Sequence, residues 1–224
     1  LARIDIGAQK VQGVDYAYTL QGWLKSINGD LADTLSDMGG DGKRSTITPK
    51  DVYASVIDYF TDDYKPIGHT ALSRQVLPNK SLYNGNIARQ STDITPFGGL
   101  TTAYTYDQMN RIKRAAYANT KRDSALAYLN KYASSYKYDM DGNLKLLVRR
   151  DGAGDLMDSM KYSYTSNTNR MTGLNDYASF SKAGIEDIPA SAGTPLATGH
   201  DEDGFVINDV SGNLESSYWT SYGK

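Results

Sequence analysis

The stretch YKYDMDGNLKLLVRR at residues 136–150 contains a complete β-hairpin signal. Asp139 comes first and Gly142 fourth in the polar segment between two strand-like runs, which is the preference of a type I turn. Gly142 or Asn143 can adopt the left-handed backbone conformation that a hairpin with a bulge requires. The stretch therefore predicts two antiparallel strands joined by a tight turn.

The residues on both sides of this turn alternate as strand residues do. Tyr136 and Tyr138 fall on one face because successive side chains of a strand point to opposite faces. In the returning strand, the same alternation predicts that Leu144, Leu146 and Val148 share one face, opposite the tyrosines. A single hairpin is marginal in water, so we expect several hairpins to pair into a larger sheet.

The pattern recurs along the chain, and this repetition indicates architecture rather than a catalytic site. A Tyr-x-Tyr pair, a polar turn and a large apolar residue follow one another in YAYTLQGWLKSI (16–27), YTYDQMNRIKRA (104–115), YKYDMDGNLKLL (136–147) and YSYTSNTNRMTG (162–173). Parts of the pattern remain in YNGNIARQ (83–90) and INDVSGNLESS (207–217). The structural repeat residues that we predict are Tyr16, Tyr18, Gly22, Tyr104, Tyr106, Asp107, Tyr136, Tyr138, Asp139, Gly142, Asn143, Leu144, Tyr162, Tyr164, Asp209, Gly212, Asn213 and Leu214.

Composition limits the classes of function. Of the 224 residues, 39% are apolar, which is enough to bury a core. The chain has 18 Tyr against 4 Phe and 2 Trp, a bias that favours strands. A net charge of −2 gives no electrostatic signature of nucleic-acid binding, and no apolar run is long enough to span a membrane. Cysteine is absent, which excludes disulfides and thiolate metal sites.

The Tyr-x-Tyr-Asp-x-x-Gly-Asn-Leu pattern resembles the YD repeat of the RHS (rearrangement hotspot) proteins. The resemblance covers most of the chain and implies a mainly β fold, in which repeated antiparallel hairpins form part of a spiralling β-sheet shell. It also implies a secreted or cell-surface location in a bacterium. The segments that are similar to those of large secreted RHS-repeat proteins are GVDYAYTLQGWLKSIN (13–28), DMGGDG (37–42), DVYASVIDYFTDDYKPI (51–67), LYNGNIA (82–88) and YWTSYGK (218–224).

The resemblance also implies partners for the chain. In this family the shell commonly encloses a variable C-terminal toxin, so the expected partners are the rest of the shell, the enclosed domain and bacterial secretion machinery. The Pro-rich, Asp-containing motif that ends the family's core region has no match here. We therefore expect an internal segment of a longer chain, with any toxin or self-cleavage activity C-terminal to it.

Two polar inserts and one helix interrupt the predicted repeat over residues 1–224. The inserts lie at about 28–50 and 184–204, which are rich in Gly, Asp, Ser, Thr and Pro. One short helix is predicted near 122–132, where the apolar residues fall near one helical face.

The candidate catalytic and metal-binding residues lack the spacing that such sites require. Asp37, Asp41 and the DEDG segment at 201–204 are oxygen donors of the type that binds calcium, but they lack the spacing of an EF-hand loop, and turn formation explains them. His69 and His200 lack the paired spacing of a local metal motif. Because no GxSxG, HExxH, P-loop or strand-linked GxGxxG motif occurs, we predict no enzyme activity and no cofactor.

The tyrosine rows leave two interpretations. Exposed tyrosines can stack on surface glycans, which would make the chain a cell-surface adhesion or carbohydrate-binding scaffold. The recurrence of tyrosine in every unit favours instead cross-strand aromatic ladders that stabilise the sheet. We therefore predict a structural shell segment that encloses or presents a C-terminal toxin, with the adhesion scaffold as the alternative.

Overall fold

The fold was obtained as a computed structural model, which describes residues 2–29, 37–42, 47–64, 81–118, 130–179, 196–209 and 216–217. Every regular element in these ranges is a β-strand. The strands are β1 (Arg3–Ile6), β2 (Gln12–Tyr18), β3 (Leu24–Ile27), β4 (Tyr53–Asp58), β5 (Arg89–Ile94), β6 (Gly98–Tyr106), β7 (Ile112–Ala118), β8 (Ser134–Tyr138), β9 (Leu144–Arg150), β10 (Leu156–Tyr164), β11 (Met171–Asp176), β12 (Leu196–His200) and β13 (Val206–Asp209).

The strands form one antiparallel sheet in which hydrogen-bonded neighbours follow one another in chain order from β1 to β13. This order needs no crossover, because each strand returns beside the strand before it. The predicted mainly β fold of repeated antiparallel hairpins is confirmed.

The described part of the chain contains no helix, and therefore no apolar helix that could cross a membrane. The helix predicted near 122–132 lies outside the described residues, except for Asn130–Tyr132, which form a turn before β8. The helix stays a prediction.

The chain divides into two compact units. The first contains Leu1–Arg111 and Ala115–Leu129, and the second contains Ile112–Arg114 and Asn130–Lys224. In the first unit, a row of small residues crosses five strands, and each residue is at most 4% exposed. Its members, in order of cross-strand pairing, are Ala17, Ser26, Val56, Ser91 and Thr101.

In the second unit, the central strand β10 supplies a large buried apolar side chain. Met160 is 4% exposed, and it lies opposite Leu147 of β9 and Asp176 of β11. Leu174 of β11 is also buried and pairs with Tyr162. The core of this unit therefore mixes apolar and charged residues.

Several hairpins share a bulge at the second residue of the returning strand. The first residue after the turn pairs with the last residue before the turn. The second residue after the turn has no partner in the register. The skipped residues are Lys25, Lys145, Met157, Thr172 and Ile207.

The bulge at Lys145 corrects the predicted face of β9. Leu144 pairs with Tyr138, but Leu147, and not Leu146, pairs with Tyr136. Leu146 pairs with Lys137 and therefore lies on the other face. One additional residue in a strand reverses the alternation beyond it, and the sequence pattern did not show where that residue would be inserted.

The insert predicted at about 28–50 lies between β3 and β4 and is only partly described, so it stays a prediction. In the stretch 184–204 the structure differs from the expected loop, because Leu196–His200 forms β12 and a tight turn follows it at 201–205. This hairpin has no tyrosine pair, which is why a search based on tyrosines missed it.

Candidate functional site

One hydrogen-bond pattern closes the turn at 139–143. The Asp139 N–H donates to the Asn143 carbonyl over 3.0 Å, and the Gly142 N–H donates to the Asp139 carbonyl over 3.3 Å. The Asp139 carboxylate accepts the Asn143 N–H (2.8 Å) and its side-chain amide (3.0 Å). Gly142 has a φ of +92°, which residues with a β-carbon rarely adopt. The predicted turn and its left-handed glycine are therefore present.

The same turn occurs at three further places where an aspartate precedes a left-handed residue by three positions. In each turn, the N–H of the first residue donates to the carbonyl of the fifth, and the N–H of the fourth residue donates to the carbonyl of the first. The carboxylate of the first residue also accepts the N–H of the fifth. The further turns of this type begin at Asp107, Asp151 and Asp201, and their left-handed residues are Asn110, Gly154 and Gly204.

Threonine replaces aspartate in two of the turns. At Thr19, the hydroxyl accepts the Trp23 N–H over 3.2 Å, and Gly22 has a φ of +83°. The turn at Thr165 is one residue longer and closes from the Thr165 N–H to the Arg170 carbonyl over 2.9 Å. The predicted repeat residue Gly22 thus has the same conformational role as Gly142.

Hydrogen bonds also affect the pKa of the turn aspartates. Desolvation raises the pKa of Asp139, but the hydrogen bonds from Asn143 outweigh it and hold the pKa below its ordinary value. The pKa of Asp107 is also held below its ordinary value, because the hydrogen bonds from Arg111 and Met109 outweigh desolvation. These carboxylates are therefore engaged in holding turns.

A tyrosine before the turn binds the backbone of the preceding hairpin. Its hydroxyl donates to the carbonyl of a residue that follows the preceding turn, over 2.8 to 3.0 Å. We call this contact the tyrosine tie. The four ties are Tyr59 to Leu24, Tyr106 to Ile87, Tyr138 to Ile112 and Tyr164 to Leu144.

Tyr59 was not among the predicted repeat residues. It follows β4 and is 6% exposed, and its ring lies 5.0 Å from that of Trp23, centroid to centroid. Its position next to the polar FTDD segment, which is comparable to the position of Tyr106 next to DQMN, was the available signal.

Where the structure gives their cross-strand partners, the tyrosines do not form the aromatic ladders that we expected. Tyr136 and Tyr138 lie opposite Leu147 and Leu144, and Tyr162 lies opposite Leu174. The same holds in the first unit, where Tyr16 and Tyr18 pair with Ile27 and Leu24. The cross-strand contacts are therefore aromatic–aliphatic, and the tyrosine-specific contribution comes from the hydroxyl.

The other predicted repeat residues have separate positions. Tyr16, Tyr104, Tyr136 and Tyr162 are half-buried, whereas Tyr18 is 42% exposed. Asp209 ends β13 and lies opposite Thr198 of β12. Gly212, Asn213 and Leu214 lie outside the described residues.

A buried group of four charges, which the sequence did not predict, joins β3, β4 and β5. Lys25 Nζ lies 2.6 Å from Asp58 Oδ1 and 2.7 Å from Asp63 Oδ1. Arg89 Nε donates to Asp58 Oδ2 over 2.7 Å. The side chains of Lys25 and both aspartates are 0% exposed, and that of Arg89 is 3% exposed. Two cations and two anions thus meet away from solvent.

A second charged group fastens the 37–42 segment to β1 and β2. Arg3 contacts Asp15 at 2.6 Å and Asp41 at 2.8 Å. Gly39 packs directly against Arg3 and Asp15, so that a β-carbon there would collide with both side chains. Gly39 lies within the predicted polar insert at about 28–50, and these contacts make it a constrained position.

Asp51 belongs to the same acidic surroundings. Burial, together with the negative charges of Asp41, Asp37 and Asp15, raises the pKa of Asp51 to about 6, against the opposing hydrogen bond from Gln12. In the second unit, Arg149 forms a bidentate pair with Asp158 at 2.7 and 3.1 Å.

The candidate calcium ligands have protein partners. Asp37 Oδ1 accepts the Gly40 N–H, Asp41 contacts Arg3, and Asp201 holds its own turn. Within the described ranges, no three His, Cys, Asp or Glu side chains are grouped so as to hold a metal ion. His200 ends β12 opposite Val206, and His69 lies outside those ranges.

Comparison with models of known protein families and with curated proteins finds no match to this chain. The resemblance to RHS-repeat proteins rests on the motifs quoted above.

Proposed function

We propose that this chain is a structural wall segment of a secreted bacterial RHS-repeat protein, which encloses or presents a C-terminal effector that is not in this sequence. The observation that carries the proposal is the tyrosine tie. Each tie joins one hairpin to the one before it, within the first unit at Tyr106 and within the second at Tyr164. A sheet that is stabilised by contacts between neighbouring units can be extended by adding further units.

The distribution of polar side chains supports the same proposal. The turn carboxylates accept backbone N–H groups, and the buried carboxylate of Asp158 pairs with Arg149. Groups that hold the backbone or balance a buried charge are engaged in structure rather than poised for a substrate.

The adhesion scaffold is less well supported by the positions of the tyrosines. At Tyr106, Tyr138 and Tyr164 the hydroxyl already donates to the backbone. A sugar would have to stack on side chains outside these ties, such as Tyr83 and Tyr177, which are 73% and 59% exposed. Specific glycan binding that is lost on replacing these two residues by alanine would favour the alternative.

Limited proteolysis of the full-length protein under native conditions tests the proposal. We expect the C-terminal domain to resist protease in the wild type. The double variant Tyr138→Phe/Tyr164→Phe, which lacks two ties, should expose it sooner. Tyr18→Phe is the matched control, because this side chain is already 42% exposed and should leave protection unchanged. A C-terminal domain that is digested equally fast with and without the repeat segment contradicts the wall function.

A further inference from the structure

The buried group around Lys25 has the geometry of a reactive pair as well as that of an ion pair. Lys25 is the bulge residue of β3, and its Nζ lies within 2.7 Å of a carboxylate oxygen of both Asp58 and Asp63. None of the three side chains is exposed. An amine held against a carboxyl group in a site without water has a very high effective concentration for attack.

We propose that Lys25 and Asp63 form an intramolecular isopeptide bond, with Asp58 as the group that moves the proton. Burying separate charges is costly, whereas an amide between the two side chains carries no charge. Formation of the bond therefore removes one cation and one anion from the interior and leaves the charge balanced.

The position of Arg89 decides which carboxylate reacts. Arg89 lies directly opposite Asp58 in the β4–β5 pair, with Nε 2.7 Å and Nη2 2.6 Å from Asp58 Oδ2. If Asp58 formed the amide, Arg89 would lose this carboxylate. If Asp63 forms the amide, Asp58 and Arg89 remain as a balanced pair.

The atoms balance without another reactant. The Lys25 ammonium gives one proton to Asp58 Oδ1 at 2.6 Å, and the neutral amine attacks Asp63 Cγ. The Nζ–Cγ bond forms and the bond from Cγ to one carboxylate oxygen breaks. That oxygen leaves as water with two protons from Nζ, one of them delivered by Asp58. Asp58 ends as a carboxylate, as it began.

Such a bond would give this chain a covalent cross-link, although it has no cysteine. It would join β3 to the segment that follows β4, where the Tyr59 N–H already holds Asp63 Oδ2 at 2.8 Å. The first unit would then have a closed loop from Lys25 to Asp63, which restricts the unfolded chain as a disulfide does.

Intact mass under denaturing conditions, measured on the soluble 224-residue chain with β-rich circular dichroism, tests the proposal. We expect a mass lower than that of the sequence by one water. Tryptic digestion should fail to cleave after Lys25 and should yield a branched peptide that contains Lys25 and Asp63.

Three variants separate this chemistry from a merely structural ion group. Asp63→Asn keeps the shape and should lose one ammonia instead of one water, because nitrogen is then the leaving atom. Asp58→Asn should retain the full mass of its sequence, since it lacks the proton carrier, and Lys25→Arg should also retain it. A folded wild-type chain with the full sequence mass and normal cleavage after Lys25 overturns the proposal.

Discussion

Removing one tyrosine hydroxyl should measure the strength of a tie. In Tyr164→Phe the ring keeps its place opposite Met171, but the Leu144 carbonyl loses the hydroxyl that donates to it over 2.9 Å. A net hydrogen bond contributes about 1 kcal/mol, and an acceptor left partly unsatisfied adds to the loss, so we expect about 1–2 kcal/mol of destabilisation. With a urea m-value of about 2 kcal/mol/M, the unfolding midpoint should fall by roughly 0.5 M or more.

The pH dependence of Tyr164→Phe provides a second check. Burial, followed by the charges of Tyr162 and Asp139, raises the pKa of Tyr164. A raised pKa in the folded state means that the stability from this hydroxyl is complete below the unfolded value of about 10 and is lost as the pH rises through the folded value. The wild type should therefore be more stable than the variant at neutral pH, and this difference in the free energy of unfolding should disappear only in alkaline solution.

Urea unfolding followed by circular dichroism measures these differences, with Tyr18→Phe as the control. Tyr18 is also the last residue before a turn, but its side chain is 42% exposed, so its variant should stay within about 0.5 kcal/mol of the wild type. Equal stability of Tyr164→Phe and the wild type, or equal losses in both variants, would refute the role of the tie.

Four further substitutions test the turns and the buried charges. Asp139→Ala removes the acceptor of two hydrogen bonds and should lower the urea midpoint at pH 7. Because the pKa of Asp139 is lowered in the fold, the difference in stability between the two proteins should shrink as the pH falls through the folded value, as acid titration of both will show. Gly142→Val should cost about 1–3 kcal/mol, because valine rarely adopts the positive φ of this position. Gly39→Ala should lower the melting temperature, because the added β-carbon collides with Arg3. An unchanged melting temperature in either variant would contradict the constraint on that glycine. Burial raises the pKa of Asp51 to about 6, so its ionisation disfavours folding increasingly as the pH rises from about 4 to about 6 and fully above that. Asp51→Asn should therefore stabilise the protein by roughly 1–2 kcal/mol at pH 8 and should give no gain near pH 3 in the same unfolding assay.

Local patterns predicted the hairpins, because a tight turn is specified by a few adjacent residues. An Asp followed three positions later by Gly was sufficient at Asp139, and the same rule would have found the turns at Asp151 and Asp201. Those two were missed because our search also required the tyrosine pair, which belongs to the contact between hairpins and not to the turn.

The contacts between distant residues could not be predicted in this way. Lys25 and Asp58 meet because the segment between β3 and β4 returns the chain to the same place, and nothing in either local sequence specifies that register. The bulge at Lys145 likewise reverses which face of the sheet the later side chains of β9 occupy, and no change in the type of residue marks its position in the sequence. The close packing of Gly39 could not be predicted because its neighbours, Arg3 and Asp15, are remote in sequence.

The most direct test of the wall function is the structure of the full-length protein by electron cryomicroscopy. We predict that β1 and β13 are each hydrogen-bonded on their outer edges to further strands, in a continuous wall around density for a C-terminal domain. A separate domain with both outer edges facing solvent, and with the C-terminal region outside it, would contradict the account.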